Sequence, residues 1–165
     1  MKIYILRHGI ALDRNDPNIL SDKSRQLVPI GIEKITNISK FIKKQKINFD
    51  LIFSSPYLRA KETAVIVAEK LGVEIQETEL LIPSGSFERL IEKINSQNFE
   101  NVLLVGHEPF LSGFASFLLV GDESLDLLLK KGGFCCVGFY GKIEIGMGTL
   151  DFLLSPKQMI SKKMR

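Results

Sequence analysis

The sequence predicts an α/β fold of three layers: a mainly parallel central sheet, antiparallel strands at its edge, and helices on both faces. Two patterns predict it. Short runs that are apolar throughout, as in strands covered on both faces, alternate along the chain with amphipathic stretches of helical spacing. The last third carries apolar runs between Gly-rich turns without helical spacing, which adds antiparallel strands at an edge. With 45% hydrophobic and 25% charged residues among 165, the chain has the composition of one soluble globular domain, which excludes collagen-like, disordered and coiled-coil classes. The domain is expected over residues 1–155, followed by a polar, basic tail over 156–165.

Ile3 to Leu6, ended by Arg7-His8-Gly9, reads as a buried strand at the very start. The polar segment Asp13 to Arg25 reads as an exposed loop. From Pro29, the residues Ile32, Ile35, Ile38, Phe41 and Ile42 recur at near-helical spacing and mark the first helix. Asp50 to Phe53 is a second buried strand. Ser55 as cap and Pro56 as first helical residue then open a helix that carries Leu58, Ala64, Val65, Ala68 and Leu71 and closes at Gly72. Val73 to Ile75 is a short strand, and the loop Ile82 to Ser86 leads into Phe87, Leu90, Ile91 and Ile94, one helical face. Asn101 to Val105 is the next buried strand. After Gly106-His107-Glu108-Pro109 comes a helix ended by Gly121, whose Phe110, Phe114 and Phe117 are spaced for core packing and not for stacking on bases. Leu125 to Leu129, Phe134 to Tyr140 and Thr149 to Leu154 read as strands. From Pro156 the chain, with Lys157, Lys162, Lys163 and Arg165, reads as a solvated end.

A net charge of +3 is too small to support a polyelectrolyte partner, so no nucleic acid is expected and any preference for anions must come from where the cations sit. The two cysteines, Cys135 and Cys136, are adjacent in an apolar run, where strand alternation points them to opposite faces; they read as reduced core residues. The initial apolar run is too short for a signal-peptide core and no stretch has membrane-spanning length. A cytoplasmic location without membrane contact is therefore expected.

The candidate chemistry lies at strand ends. Both histidines of the chain, His8 and His107, follow buried strands, Arg7 precedes His8, and Arg59 lies early in the helix after the second strand. Parallel sheets bind ligands beyond the carboxyl ends of their strands. Two imidazoles and two guanidinium groups delivered there suit a doubly charged tetrahedral oxyanion, with Arg59 near a helix N-terminus offering a fork for two phosphate oxygens. Gly9 allows the chain to turn tightly and approach a ligand. Nearby Arg7 and Arg59 should lower the pKa of His8 and keep it unprotonated, fit for attack on phosphorus, while His107 donates to the same group. No metal is required; the metal alternative would have only Glu108 as an obvious third ligand. Lys130-Lys131-Gly132-Gly133 reads either as a pocket rim or as a solvated turn.

Leu6-Arg7-His8-Gly9, Ser54-Ser55-Pro56-x-x-Arg59-Ala60-x-x-Thr63-Ala64 and Gly106-His107, in that order, resemble the histidine phosphatase superfamily and, within it, the SixA-type phosphohistidine phosphatases. The resemblance spans residues 1 to about 155. It implies a phosphoglycerate mutase-like fold, no cofactor, a phosphate pocket of Arg7, His8, Arg59 and His107 with His8 the phosphorylated nucleophile, and Arg25 as a further arginine near the pocket. Larger members carry an acidic proton donor that no motif identifies here. Glu79, Glu88 and Glu108 are candidates, each equally readable as a surface, capping or helix-face carboxylate. A phosphorylated imidazole can leave without such an acid, whereas an alkoxide cannot. The expected substrate is therefore phosphohistidine on a phosphorelay protein of the histidine phosphotransfer type. Small phosphoesters are the alternative within the enzyme class, and a non-catalytic phospho-ligand binder is the alternative outside it.

Overall fold

The computed structural model describes residues 1–160. Strands β1 (Lys2–Arg7), β2 (Leu51–Ser54), β3 (Ile75–Glu77), β4 (Asn101–Gly106), β5 (Phe134–Gly138) and β6 (Thr149–Leu154) form one sheet in the order β3-β2-β4-β1-β5-β6. The first four run parallel, and β5 pairs antiparallel with both β1 and β6. The helices are α1 (Pro29–Lys44), α2 (Leu58–Leu71), α3 (Phe87–Asn95), α4 (Phe110–Val120) and α5 (Pro156–Met159).

Burial explains why the strand sequences are apolar throughout. Ile3 and Ile5 of β1 and Val102 and Leu104 of β4 face the layer of α3 and α4, packing with Leu90, Ile94, Phe110 and Phe114. The intervening Tyr4, Leu6, Leu103 and Val105 face α1 and α2, packing with Ile35, Ile38, Ala64 and Val67. The period of two persists inside each run, but both faces are covered. Cys135 and Cys136 fall on opposite faces as expected, and burial pushes both thiols up to about 12.

Several segments depart from the sequence reading. The third strand starts at Ile75, because Gly72 takes a left-handed φ of 70° and the Val73 N–H still bonds to Ala68 O, which completes the helix cap. Leu125 to Leu129 is not a strand: the Leu125 N–H donates to Ser116 Oγ and Leu129 O accepts from Arg7 Nη1, so side chains satisfy backbone groups that a ladder would otherwise take. The loop from Asp13 holds a 3-10 turn at Asp22–Ser24, an Ala11–Leu27 bridge and a buried Arg25. At the other end, Pro156–Met159 is a helical turn opened by a Ser155–Gln158 capping box, with Met159 buried in the α1–α2 core layer. Lys162, Lys163 and Arg165 lie outside the described residues. Among the described residues, no helix is long and apolar enough to cross a membrane.

Strand register positions the site. Arg7 pairs with Gly106 and Ser54 with Val105, so β1, β2 and β4 end side by side. The ladder continues one step further, through His8 N–H to Gly106 O and Ser55 N–H to Val105 O. His8, Ser55 and His107 therefore emerge together at one edge.

Candidate active site

The two imidazoles stand with ring centroids 5.3 Å apart, both buried. His8 Nδ1 donates to Gly9 O at 2.7 Å, which places its proton on Nδ1 and leaves the Nε2 lone pair outward. Arg59 Nε donates to that Nε2 at 3.2 Å. Burial pushes His8 down to about 3, with Arg59, His107 and Arg7 adding to the effect and the Gly9 bond opposing it. Burial likewise takes His107 down to about 3, again with help from Arg59. Both rings are thus neutral across the ordinary pH range, although the largest cause is loss of water rather than the neighbouring arginines that the sequence suggested.

Gly9 is required for space. A Cβ there would lie 2.8 Å from Ile35 Cγ1 on α1. Its N–H donates to Thr63 Oγ1 at 3.0 Å, and the Thr63 hydroxyl donates to Arg59 O at 2.7 Å, so one buried side chain ties the end of β1 to the helix that carries Arg59. From the other side, the Gly132 N–H donates to the carbonyls of Arg7 and His8, which makes the turn after Lys130 and Lys131 a brace for the His8 backbone. Both lysines are exposed at this turn; Lys131 is held below its usual range by partial burial and by Arg7 and Arg25.

Ser55 and Pro56 do not start the helix. Tyr57 precedes its first residue, Leu58, and the Ser55 hydroxyl instead bonds His107 Nε2 at 2.8 Å. That leaves His107 Nδ1 as a buried ring nitrogen without a protein partner, and Arg7 Nε is in the same state while Arg7 Nη1 holds Leu129 O. Two buried polar atoms at this edge of the sheet thus have no protein partner, an exception to the rule that buried polar groups are hydrogen-bonded. The Tyr57 ring closes this edge, 5.0 Å from the His107 ring and 5.4 Å from the Arg59 guanidinium carbon.

The carboxylates fall differently from expectation. Glu79 and Glu88 are exposed, and Glu88 accepts from Ser86. Glu108 accepts the Ser112 N–H at 2.9 Å inside the first turn of α4, while its charge supports that of Arg7. Asp22, which the sequence reading left in a polar loop, meets Arg59 at 3.1 Å and Arg25 at 3.0 Å. Partial burial raises its pKa, but the bonds and charges of those two arginines outweigh this and hold the carboxyl below its ordinary range. Arg25 is buried, with Nε bonded to Leu12 O. Among the described residues, no group of three His, Cys, Asp or Glu side chains is placed to hold a metal ion.

Comparison with known proteins adds the lineage. The model of the histidine phosphatase superfamily (branch 1) matches residues 3–90. The chain belongs to this superfamily. Its sheet is the mixed, mostly parallel one of the phosphoglycerate mutase-like histidine phosphatase fold. An uncharacterized protein of Picosynechococcus is 34% identical over 137 residues, covering 81% of this chain and 82% of its own. Phosphohistidine phosphatase SixA of Escherichia coli is 27% identical over 162 residues, 94% of each chain. The solved structure of the protein histidine phosphatase SixA complexed with tungstate superposes with a TM-score of 0.83, at 23% identity over 94% of this chain and 97% of that one.

Proposed function

We propose that this histidine phosphatase superfamily member is a metal-independent phosphatase that works through a phosphohistidine on His8, with phosphohistidine on a phosphorelay protein as its substrate. The observation that carries the reading is the His8 geometry: Nδ1–H is tied to Gly9 O, and a neutral Nε2 faces the side on which Arg59, Arg7 and His107 gather. In the first step the Nε2 lone pair forms a bond to phosphorus while the bond from phosphorus to the substrate nitrogen breaks. The leaving imidazole, protonated on its other nitrogen, departs neutral. In the second step water adds to phosphorus, the bond to Nε2 breaks, and inorganic phosphate and neutral His8 are regenerated. Arg7, Arg59 and His107 stabilise the equatorial oxygens in both steps.

Substrate choice is supported by the carboxylates. Asp22, bonded to two arginines, is held ionised and is a poor proton donor near neutral pH, and Glu108 is engaged in its helix turn. An alkoxide leaving group lacks an acid here, whereas a phosphorylated imidazole does not need one. The rim supports a protein-borne substrate: Leu20 is 98% exposed and Leu128 73%, on the two loops that supply Asp22 and the Leu129 carbonyl, beside Lys23, Lys130 and Lys131. The site is expected to act in the cytoplasm, where phosphorelay proteins present such groups.

The test is a rate comparison of a phosphohistidine protein, a sugar phosphate and an aryl phosphate, followed by a rapid quench with labelled substrate. The phosphohistidine protein is expected to react fastest, and acid-labile label is expected on His8 and absent from His8→Ala. Full turnover by His8→Ala refutes the mechanism; a faster sugar phosphate refutes the substrate assignment.

A further inference from the structure

Every nitrogen of the Arg59 guanidinium already donates within the protein: Nε to His8 Nε2 at 3.2 Å, Nη1 to Asp22 O at 2.8 Å, and Nη2 to Asp22 Oδ2 at 3.1 Å. The second carboxylate oxygen of Asp22 takes Arg25 Nη1 at 3.0 Å. In-line attack needs phosphorus about 3–3.5 Å from Nε2. The 3.2 Å between Nε2 and Arg59 Nε has no room for it. A phosphoryl group can therefore enter only as Arg59 swings away from Nε2 and gives its donors to phosphate oxygens. Those donors are the ones Asp22 holds.

We propose that Asp22 is an internal counter-anion of the pocket, a competitor for Arg59 and Arg25 that the phosphoryl group displaces on binding and that takes the arginines back when phosphate leaves. The inference rests on the phosphate pocket proposed above and adds to it a residue that sets anion affinity and product release. Placement supports the role. Asp22 sits on the 3-10 turn Asp22–Ser24 rather than in a packed element, and its side chain is 40% exposed, so it can move without disturbing the core. Arg59 is 3% exposed and Arg25 7%, so water is a poor substitute partner for either when the site is empty. A carboxylate carried on that turn meets this need, and it opposes a second anion arriving beside it.

The experiment is calorimetric titration of the full chain with inorganic phosphate, in the unaltered protein, in Asp22→Asn, and in Asp16→Asn as a charge control on the same loop. Asp22→Asn is expected to bind phosphate about tenfold more tightly, the scale of removing one like charge a few ångströms away. Product inhibition by phosphate should set in at correspondingly lower concentration, with KM falling and kcat not rising. Asp16→Asn is expected to bind as the unaltered protein does. Asp22→Ser, which keeps the main-chain acceptor for Arg59, provides a second reading should the amide perturb folding. Unchanged or weaker phosphate binding in folded Asp22 variants overturns the proposal, as does equal tightening in Asp16→Asn. No phosphate binding by the unaltered protein overturns the pocket itself, a different result from the first two.

Discussion

Thr63 offers a sharp test of how the site is held, because it touches no expected ligand yet joins the two elements that carry His8 and Arg59. Its hydroxyl accepts the buried Gly9 N–H at 3.0 Å and donates to Arg59 O at 2.7 Å. Thr63→Val keeps the shape and removes both bonds. The Arg59 carbonyl retains its helical partner, so the main loss is the Gly9 N–H, which is left buried without an acceptor at a cost of about 1–3 kcal/mol. For a chain of this size, about 2 kcal/mol lowers the melting temperature by roughly 4–8 °C. Activity should also fall, because Gly9 O fixes the His8 ring. A displacement of a few tenths of an ångström at Nε2 would cost kcat/KM at least about tenfold, or ~1.4 kcal/mol. Thr63→Ser retains the hydroxyl and loses only a methyl group, so it should be the milder change in both respects. Calorimetry and steady-state kinetics on the three proteins check this; Thr63→Val with unaltered melting temperature and rate refutes the coupling.

Arg59→Ala should lower kcat/KM by about 10²–10³, or ~3 kcal/mol, as for loss of an oxyanion donor; a loss below threefold would show that Arg59 does not face the reacting group. Exhaustive treatment with a chelator should leave the rate unchanged, and inhibition reversed by added metal would restore the metal alternative. The two histidines fall from an ordinary 6.5 to about 3 in the fold. The unfolded chain therefore binds more protons between those limits, and their contribution to stability is complete above about pH 6.5 and lost as pH drops toward 3. The slope reaches up to about 2.7 kcal/mol per pH unit for two protons. Urea unfolding from pH 7 to 4, with NMR titration of the two imidazoles, reads this directly; either ring titrating near 6.5 in the free protein contradicts the burial.

Much of the fold is legible because strands covered on both faces must be apolar throughout, as at Ile3 to Leu6 and Val102 to Val105, and because Gly72 and Gly121 end helices with left-handed backbones. Arg7, His8, Arg59 and His107 could be placed at one edge because each lies at or shortly after the end of a parallel strand. Leu125 to Leu129 misleads because an apolar run does not say whether a ladder has room for it. Asp22 carries no local signal for its place beside Arg59: Arg25 is a neighbour on the same turn, but Arg59 lies 37 residues away and meets it only through tertiary folding. Thr63 belongs to a recognisable motif, but its link to Gly9 follows from how α2 packs on the end of β1. Ser55 shows the limit of local rules, since a residue suited to capping is used by a histidine instead.

The charge of the site follows from these residues together. Arg7, Arg14, Arg25 and Arg59 bring four positive charges, Asp22 and Glu108 two negative, and both imidazoles are neutral, so positive charge predominates around His8. Protonating either histidine would add a further positive charge in a region with little water, and burial opposes it. The fold thus keeps His8 free of a proton without a carboxylate beside it, since a carboxylate next to His8 would favour the imidazolium. Asp22 lies instead on the far side of Arg59, where it tempers the arginines and leaves Nε2 available.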